Sequence, residues 1–280
     1  MADDLHLAGM SQRTHDGYLR AVRQLADYCK TSPDRISESQ LRRFFLHLKN
    51  EKKFAYGSLR VAFSGIKFFY TRTCRRDWQT LAQMKLQNVK SLPEVLTISQ
   101  VRSIINAATT LRMAVYFWTI YSLGLRMQEG LNLQVGDVDA ERGMVHVHRG
   151  KGAKDRYVPL PTFTLHRLRE HWVTHRHPRL LFPAEGRNHR TTSTANAPMS
   201  PTAVQGAMKK ITGQIDFGKK VSIHTLRHSY GTHLLEAGVS LRAIQQYMGH
   251  SSLQTTMVYL HLTDSAAVDA RKTIEKLFCR

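Results

Sequence analysis

Arginine, histidine and tyrosine side chains recur at short intervals in the last quarter of the chain. His224 and Arg227 are three residues apart at a predicted helix start, so we expect them to share one helix face. The free backbone N–H groups and the dipole at a helix start also favour an anion. His250 and Tyr259 follow within 32 residues of Arg227. Cations and imidazoles can bind an anion, and a phenol beside them is a potential nucleophile.

Two further cations lie upstream in settings that also suggest chemistry. Arg126 follows an almost wholly apolar stretch, 113–125, which predicts a buried helix. A guanidinium there must be paired or must serve a ligand, and an ordinary pair with Glu129 is the structural alternative. Lys151 lies in a glycine-rich turn between two predicted strands, 144–148 and 156–160, which together predict a β-hairpin. The turn lacks the Gly-x4-Gly-Lys-Ser/Thr spacing of a nucleotide-binding P-loop, and no helix follows at once.

In this order the residues resemble the motifs of the tyrosine recombinases, the phage-integrase family, and in particular its Xer- or integrase-like members. The matching phrases are Gly124-Leu125-Arg126-x-x-Glu129, Gly150-Lys151-Gly152, His224-x-x-Arg227, Met248-Gly249-His250 and Tyr259-Leu260-His261. Two departures, Ser122-Leu123 before Gly124 and Gly130 where leucine is usual, concern packing. The resemblance covers most of residues 97–262 in its motifs, with every catalytic position filled.

The resemblance implies a role for each of these residues. Tyr259 would be the nucleophile, and Lys151 would protonate the 5′ oxygen. Phosphate oxygens would be bound by the remaining four residues: Arg126, His224, Arg227 and His250. His224 would also be able to accept the phenol proton. Lys154 and Arg156 are expected to contact phosphates nearby. Tyr230 and Tyr247 are rival phenols, and the predicted helix around Tyr247 favours core packing for it.

The implied activity is that of a site-specific DNA recombinase or integrase. It would cleave and rejoin strands through a 3′-phosphotyrosyl intermediate, without metal, ATP or cofactor. The implied partners are double-stranded DNA at specific sites, a homotetramer on two duplexes, and accessory proteins, as on a mobile element. Two alternatives stay open: a nicking-closing enzyme like the type IB topoisomerases, and a non-catalytic DNA-binding regulator of the same fold.

Charge and periodicity predict two DNA-contacting domains. The net charge is +20, with 17 Lys/Arg against 8 Asp/Glu in residues 1–92 and 24 against 13 in residues 93–280. Both parts are therefore basic, as expected of a protein that surrounds a polyanion. The sequence predicts a mainly α protein with a small β-sheet in its second domain. The expected parts are an N-terminal helical, SAM-like core-binding domain at 1–90, a linker at 91–97, and a mixed α+β catalytic domain at 98–280 that ends in a tail helix.

Other classes of site receive little support. Three scattered cysteines predict neither a zinc ribbon nor a disulfide framework, and the polar N-terminus and short apolar runs predict no signal peptide or membrane span. These features favour the cytoplasm. His224, His228 and His233 could suggest metal ligands, but the sequence has no His-Glu-x-x-His pattern and no acidic cluster, so we expect no metal site. His228 and His233 are instead expected to pack or to contact phosphate.

Overall fold

A computed structural model describes residues 1–84, 86, 92–148, 155–186 and 192–262. The chain divides into two compact units, Met1–Ser91 and Leu92–Arg280. The described residues are mostly helical and include one small sheet, which confirms the predicted fold class. The predictions for Lys151, Lys154 and the tail helix lie outside the described residues.

The first unit is a helical bundle. Its helices are α1 (Ala2–Leu7), α2 (Gln12–Cys29), α3 (Glu38–Asn50), α4 (Tyr56–Phe68) and α5 (Gln79–Gln83). The apolar residues spaced for one helix face are buried together, among them Leu25, Leu41, Phe44 and Ile66. At Gly65 a Cβ atom would lie 2.8 Å from Tyr18 Cα, so glycine is what allows α4 to pack this closely on α2.

Helix α4 continues into a wider helical turn. The α-helical pattern stops at Phe68, and Phe69–Thr73 forms a π-helical turn. Within this turn the buried Tyr70 donates its hydroxyl proton to the carbonyl of Pro33 at 2.6 Å. The apolar spacing alone could not distinguish a continued α-helix from this wider turn.

The second unit is built around one large hydrophobic core. Its helices are α6 (Ile98–Asn106), α7 (Leu111–Ser122), α8 (Met127–Leu131), α9 (Thr162–Val173), α10 (Pro201–Gln214), α11 (Ile223–Glu236), α12 (Leu241–Met248) and α13 (Leu253–Met257). As predicted, α7 is buried on several faces, including those of Val115, Tyr116, Phe117 and Ile120. It ends before 125 because the chain turns at Gly124, where φ is +58°.

A three-stranded antiparallel sheet packs on this core in the order β1-β2-β3. The strands are β1 (Val138–Asp139), β2 (Met144–Val147) and β3 (Arg156–Pro159). Val145 pairs with Val158, and Val147 pairs with Arg156. The β2–β3 pairing confirms the predicted strands to within one residue.

Capping residues define both ends of α12. The Ser240 hydroxyl accepts the N–H of Ala243 at the start of α12, and Gly249 ends that helix in the left-handed conformation at φ +61°. Beyond α13, the chain continues as a 3₁₀ turn, Val258–Leu262, which carries Tyr259. The segment from Leu253 to Leu262 therefore forms two short elements.

Candidate active site

Arg126 is fixed at the junction between α7 and α8. Its backbone N–H and its guanidinium both donate to the Glu129 carboxylate, at 2.8 and 2.6 Å. A second guanidinium nitrogen donates to the carbonyl of Gly249 at 2.9 Å. The predicted Arg126–Glu129 pair is thus present, and it connects the start of α8 to the turn that carries His250.

Arg227 lies almost fully buried on α11. Its guanidinium donates to the carbonyls of Gly124, at 2.5 Å, and Met248, and it lies 3.7 Å from Glu129 Oε2. Burial, followed by the charge of Arg126, lowers the pKa of Arg227 to about 9. The group is therefore protonated at neutral pH, and backbone carbonyls fix its orientation.

Arg156 corrects one prediction from the sequence. It is buried, with 8% of its surface exposed, and all three of its guanidinium nitrogens already donate to acceptors within the protein. Its guanidinium donates to both Glu129 carboxylate oxygens, at 3.0 and 2.7 Å, and its Nε donates to the Tyr247 carbonyl at 2.7 Å. The alternation of β3 places this residue on the inner face, where it anchors the strand to Glu129.

Glu129 consequently binds three arginines, and we call Glu129, Arg126, Arg156 and Arg227 the arginine cluster. Burial alone would raise the pKa of Glu129, but the hydrogen bonds and charge of Arg156, then those of Arg126, outweigh it and lower the pKa to about 2. One carboxylate facing three guanidinium groups leaves a net positive charge. The cluster can therefore attract a phosphate group.

Tyr259 is buried next to this cluster, with 1% of its surface exposed. Its hydroxyl is 3.1 Å from Nδ1 of His228, and its ring stacks on His250 with centroids 6.3 Å apart. Gly231 lies beneath the ring, where a Cβ atom would be 2.8 Å from Tyr259 Cε2. Burial raises the pKa of the Tyr259 hydroxyl to about 12, although the charges of Arg227 and Arg126 act in the opposite direction.

The two predicted phosphate-binding histidines occupy different positions. His250 follows Gly249, and its Nδ1 is 2.9 Å from the Thr256 hydroxyl. Burial, then the charge of Arg227, lowers the pKa of His250 to about 3. His224 is exposed in the first turn of α11, and partial desolvation by the surrounding protein, with the charges of Arg227 and Arg126, lowers its pKa. Both imidazoles are therefore neutral at pH 7 and able to donate or accept one hydrogen bond.

His228 is the residue whose position the sequence did not indicate. The sequence predicts packing or a phosphate contact for it, whereas in the structure its ring contacts the Tyr259 hydroxyl. Burial, followed by the charges of His224 and Arg227, lowers its pKa to about 4. His233 instead pairs with the Tyr121 hydroxyl at 2.9 Å, so the three histidines considered as metal ligands have separate surroundings.

The rival tyrosines have structural roles. Tyr230 is buried against Gly124, where a Cβ atom would lie 2.4 Å from its ring. Tyr247 packs at the edge of the main core, as its helical position predicted. Within the part of the chain that the structure describes, no helix has the length and apolar character needed to cross a membrane.

Comparisons with known proteins agree with this arrangement. The profile of the Phage integrase family matches residues 94–266, and that of the phage integrase N-terminal SAM-like domain matches residues 1–80. A putative integrase/recombinase of Sinorhizobium fredii, y4qK, is 33% identical over 278 residues, which cover 99% of this chain and 88% of that protein. Tyrosine recombinase XerA of Thermococcus kodakarensis is 33% identical over 279 residues, which cover 98% of this chain and 94% of that protein.

A solved structure extends the likeness to the fold. The crystal structure of XerH site-specific recombinase bound to difH substrate gives a TM-score of 0.69 at 19% identity, covering 98% of this chain and 84% of that one. The family profile spans more than half of the chain, and the two relatives align over nearly all of it. These matches confirm the family predicted from the motifs: the chain belongs to the phage integrase family, the tyrosine recombinases.

Proposed function

We propose that this tyrosine recombinase breaks and rejoins DNA at specific sites with Tyr259 as the nucleophile. The Tyr259 oxygen attacks a backbone phosphorus, the bond from phosphorus to the 5′ oxygen breaks, and a 3′-phosphotyrosyl linkage forms. The leaving 5′ oxygen takes up a proton, and attack by a 5′ hydroxyl from a second strand reverses the step. The number of phosphate ester bonds does not change, so no energy source is needed.

One observation carries this proposal: a buried phenol lies beside two arginines that share a carboxylate. Arg126 and Arg227 both approach Glu129, and the turn that carries His250 connects Arg126 to the Tyr259 ring. Guanidinium groups bind non-bridging phosphate oxygens in pairs and stabilise the charge of a pentavalent phosphorus. We assign Arg126, Arg227, His224 and His250 to that task.

The phenol needs a route for its proton. A hydroxyl with a pKa of about 12 is a weak nucleophile at neutral pH, and a nearby base or cation makes it stronger. Neutral His228 already contacts the Tyr259 hydroxyl, and neutral His224 lies one turn before it on α11. In our proposal one of these imidazoles accepts the proton as Tyr259 leaves its buried position to reach the phosphate.

Lys151 is assigned by resemblance as the acid that protonates the 5′ oxygen. The strands on either side of its segment are described, and Arg156, the first residue of β3, is bound to Glu129. Lys151 lies five residues before this anchor in the sequence, and an extended chain of that length spans at most about 18 Å. Its role is separable from that of Tyr259 because it concerns the leaving group.

The proposed substrate is double-stranded DNA, and the proposed assembly is a homotetramer on two duplexes, in the cytoplasm, with accessory proteins where the site requires them. XerH, whose fold this chain shares, was solved bound to its difH substrate. A net charge of +20, with a positive excess in both parts of the chain, supports extensive phosphate contacts. A tetramer distinguishes a recombinase, which exchanges strands between two sites, from a nicking-closing enzyme.

The test is covalent capture on DNA selected for binding. A site is first isolated from random duplexes with the Tyr259→Phe protein, and a nicked version is then incubated with each variant in EDTA. Wild type and the control Tyr247→Phe should form an SDS-resistant protein–DNA adduct, whereas Tyr259→Phe should bind without forming one. Two duplexes with different labels should also migrate as one complex with Tyr259→Phe.

Three outcomes would overturn parts of the proposal. An adduct that persists in Tyr259→Phe would move the nucleophile to another residue. Adducts without joining of the two labelled duplexes would favour a nicking-closing enzyme. Sequence-selective binding with no adduct in any variant would favour a DNA-binding regulator.

A further inference from the structure

A second cluster of polar side chains lies at the base of the β2–β3 hairpin, outside the arginine cluster. It consists of Asp137, His146, His148 and Asp155, which we call the hairpin cluster. Asp137 ends a 3₁₀ turn before β1, His146 lies within β2, and His148 follows that strand directly. Asp155 immediately precedes β3. None of these residues has a part in the proposed cleavage reaction.

Strand geometry explains why the cluster forms. Residues 146 and 148 are two apart, so their side chains leave the same face of β2. The antiparallel register pairs His146 with Tyr157 and Val147 with Arg156. Asp155 is next along β3, where continuation of that register brings it opposite His148. The chain therefore brings four potential ligands from three segments to one place.

The distances fit the coordination sphere of one cation. One potential ligand atom from each of Asp137, His146 and His148 lies within 4.8 Å of the other two. Nε2 of His148 is 2.7 Å from Oδ1 of Asp137. Oδ2 of Asp155 is 3.3 Å from Nε2 of His146 and 3.5 Å from Nδ1 of His148. Two carboxylates beside two imidazoles favour a cation over a phosphate as the ligand.

Neighbouring groups hold these side chains in orientation. The other Asp137 oxygen accepts the backbone N–H of Gln134 at 2.8 Å, which fixes the buried carboxylate and leaves Oδ1 facing His148. The His146 ring stacks on Tyr157 with centroids 4.6 Å apart and planes 11° apart. Asp155 faces Nδ1 of His148, as the carboxylates that orient zinc-binding histidines do.

We propose that the hairpin cluster is a binding site for one divalent transition-metal ion, with Zn²⁺ as the best match. Asp137 Oδ1, His146 and His148 Nε2 are the ligands, and Asp155 orients His148. Two imidazoles and a carboxylate suit Zn²⁺ or Co²⁺, whereas Mg²⁺ and Ca²⁺ prefer ligand sets made wholly of oxygen. Ligands at about 2.0–2.1 Å in a tetrahedron lie roughly 3.3 Å apart, so His148 must withdraw slightly from Asp137. His148 has 48% of its side chain exposed and is free to make this shift.

Such an ion would join the turn before β1 to the two ends of the segment 149–154. That segment contains Lys151, so an ion that holds its two ends would have a structural or regulatory role. It would take no part in bond breaking. The proposal does not depend on the recombination chemistry, because the ligands act whether or not Tyr259 is the nucleophile. Its test therefore measures metal binding directly.

The experiment uses the tag-free full chain, freed of metal by dialysis. Zn²⁺ is titrated calorimetrically, and Co²⁺ is titrated while the visible absorption bands of tetrahedral cobalt are recorded. Wild type and the exposed-histidine control His166→Ala should each bind one ion and give the same bands. Asp155→Asn should bind about 10- to 100-fold more weakly, as expected for loss of an orienting carboxylate. His146→Ala combined with His148→Ala should abolish the bands.

Circular dichroism separates loss of the site from loss of the fold. His148→Ala alone, at an exposed position, provides a variant that retains the fold, and it should weaken binding at least as much as Asp155→Asn. Failure of wild type to bind an ion stoichiometrically would overturn the proposal and leave a group of ion pairs. Binding that is unchanged in the His148→Ala variant would overturn it equally, because the ion would then be held by other histidines.

Discussion

Replacing Glu129 by Gln tests the claim that one carboxylate holds the arginine cluster together. The substitution keeps the size and one hydrogen-bond acceptor of the side chain but removes its charge. Arg156 and Arg227, both more than nine-tenths buried, would then have lost their negatively charged partner. Removing one partner of a buried ion pair lowers the free energy of unfolding by about 3–5 kcal/mol. Because the amide oxygen of glutamine still accepts a hydrogen bond, we expect Glu129→Gln to lie near the lower end of that range.

The pH dependence of unfolding gives a second, independent measure of how much the Glu129 carboxylate stabilises the fold. Glu129 has a pKa lowered from 4.5 to about 2, which corresponds to roughly 3 kcal/mol of stability above pH 4.5. Because the folded-state pKa is the lower one, this stability is lost as the pH falls from 4.5 through 2. At pH 3.5 about 1 kcal/mol of it should already be gone. The difference between wild type and Glu129→Gln should therefore narrow on acidification.

The assay is urea unfolding followed by tryptophan fluorescence at pH 7 and pH 3.5. A Trp78→Phe background removes the signal of the first unit and leaves Trp118 and Trp172, which lie on α7 and α9 of the second. The matched control is Glu141→Gln at an exposed carboxylate, which should change the unfolding free energy by less than about 0.5 kcal/mol. A Glu129→Gln variant as stable as this control, or a difference equal at both pH values, would refute the reasoning.

Two further predictions concern single positions in the site. Gly231→Ala places a Cβ atom 2.8 Å from the Tyr259 ring and 2.9 Å from Met248 Sδ, so it should destabilise the second unit by about 1–3 kcal/mol in urea. Gly206→Ala, in α10 with nothing within 4 Å of the added Cβ, should stabilise it by about 0.5–1 kcal/mol, and equal effects would refute the packing argument. The Lys151→Ala variant should cleave ordinary DNA slowly. A substrate with a 5′-bridging phosphorothiolate, whose leaving group needs no proton, should restore its cleavage rate. Equal defects on both substrates would reject Lys151 as the general acid.

Local patterns in the sequence predicted the elements that carry the site. Residue spacing predicted α11, α12 and the β2–β3 pairing, because hydrogen bonds between near neighbours determine these elements. The same patterns placed Arg126 beside Glu129, three residues away. The roles of the six residues assigned by resemblance stay predictions until the variants are measured.

Contacts between distant segments could not be predicted in this way. The resemblance of its hairpin to that of the family predicted a phosphate contact for Arg156, but tertiary packing brings it to Glu129, 27 residues earlier. His228 meets Tyr259 only because the chain folds back after α12. The hairpin cluster was missed for the same reason, since its aspartates and histidines are dispersed along 137–155 and do not form a recognisable spacing.

The excess positive charge of the arginine cluster has a consequence for the stability of the whole domain. Arg126 and Arg227 approach one carboxylate in a partly dry site and repel each other. Burial, and then that repulsion, lowers the pKa of Arg227. An anion that binds there relieves the repulsion in the folded state and does nothing for the unfolded chain. By mass action, an anion at 100 times its dissociation constant adds about 2.7 kcal/mol to the unfolding free energy. The second unit should therefore resist unfolding more strongly when a backbone phosphate lies between Arg126 and Arg227 than when the protein is free.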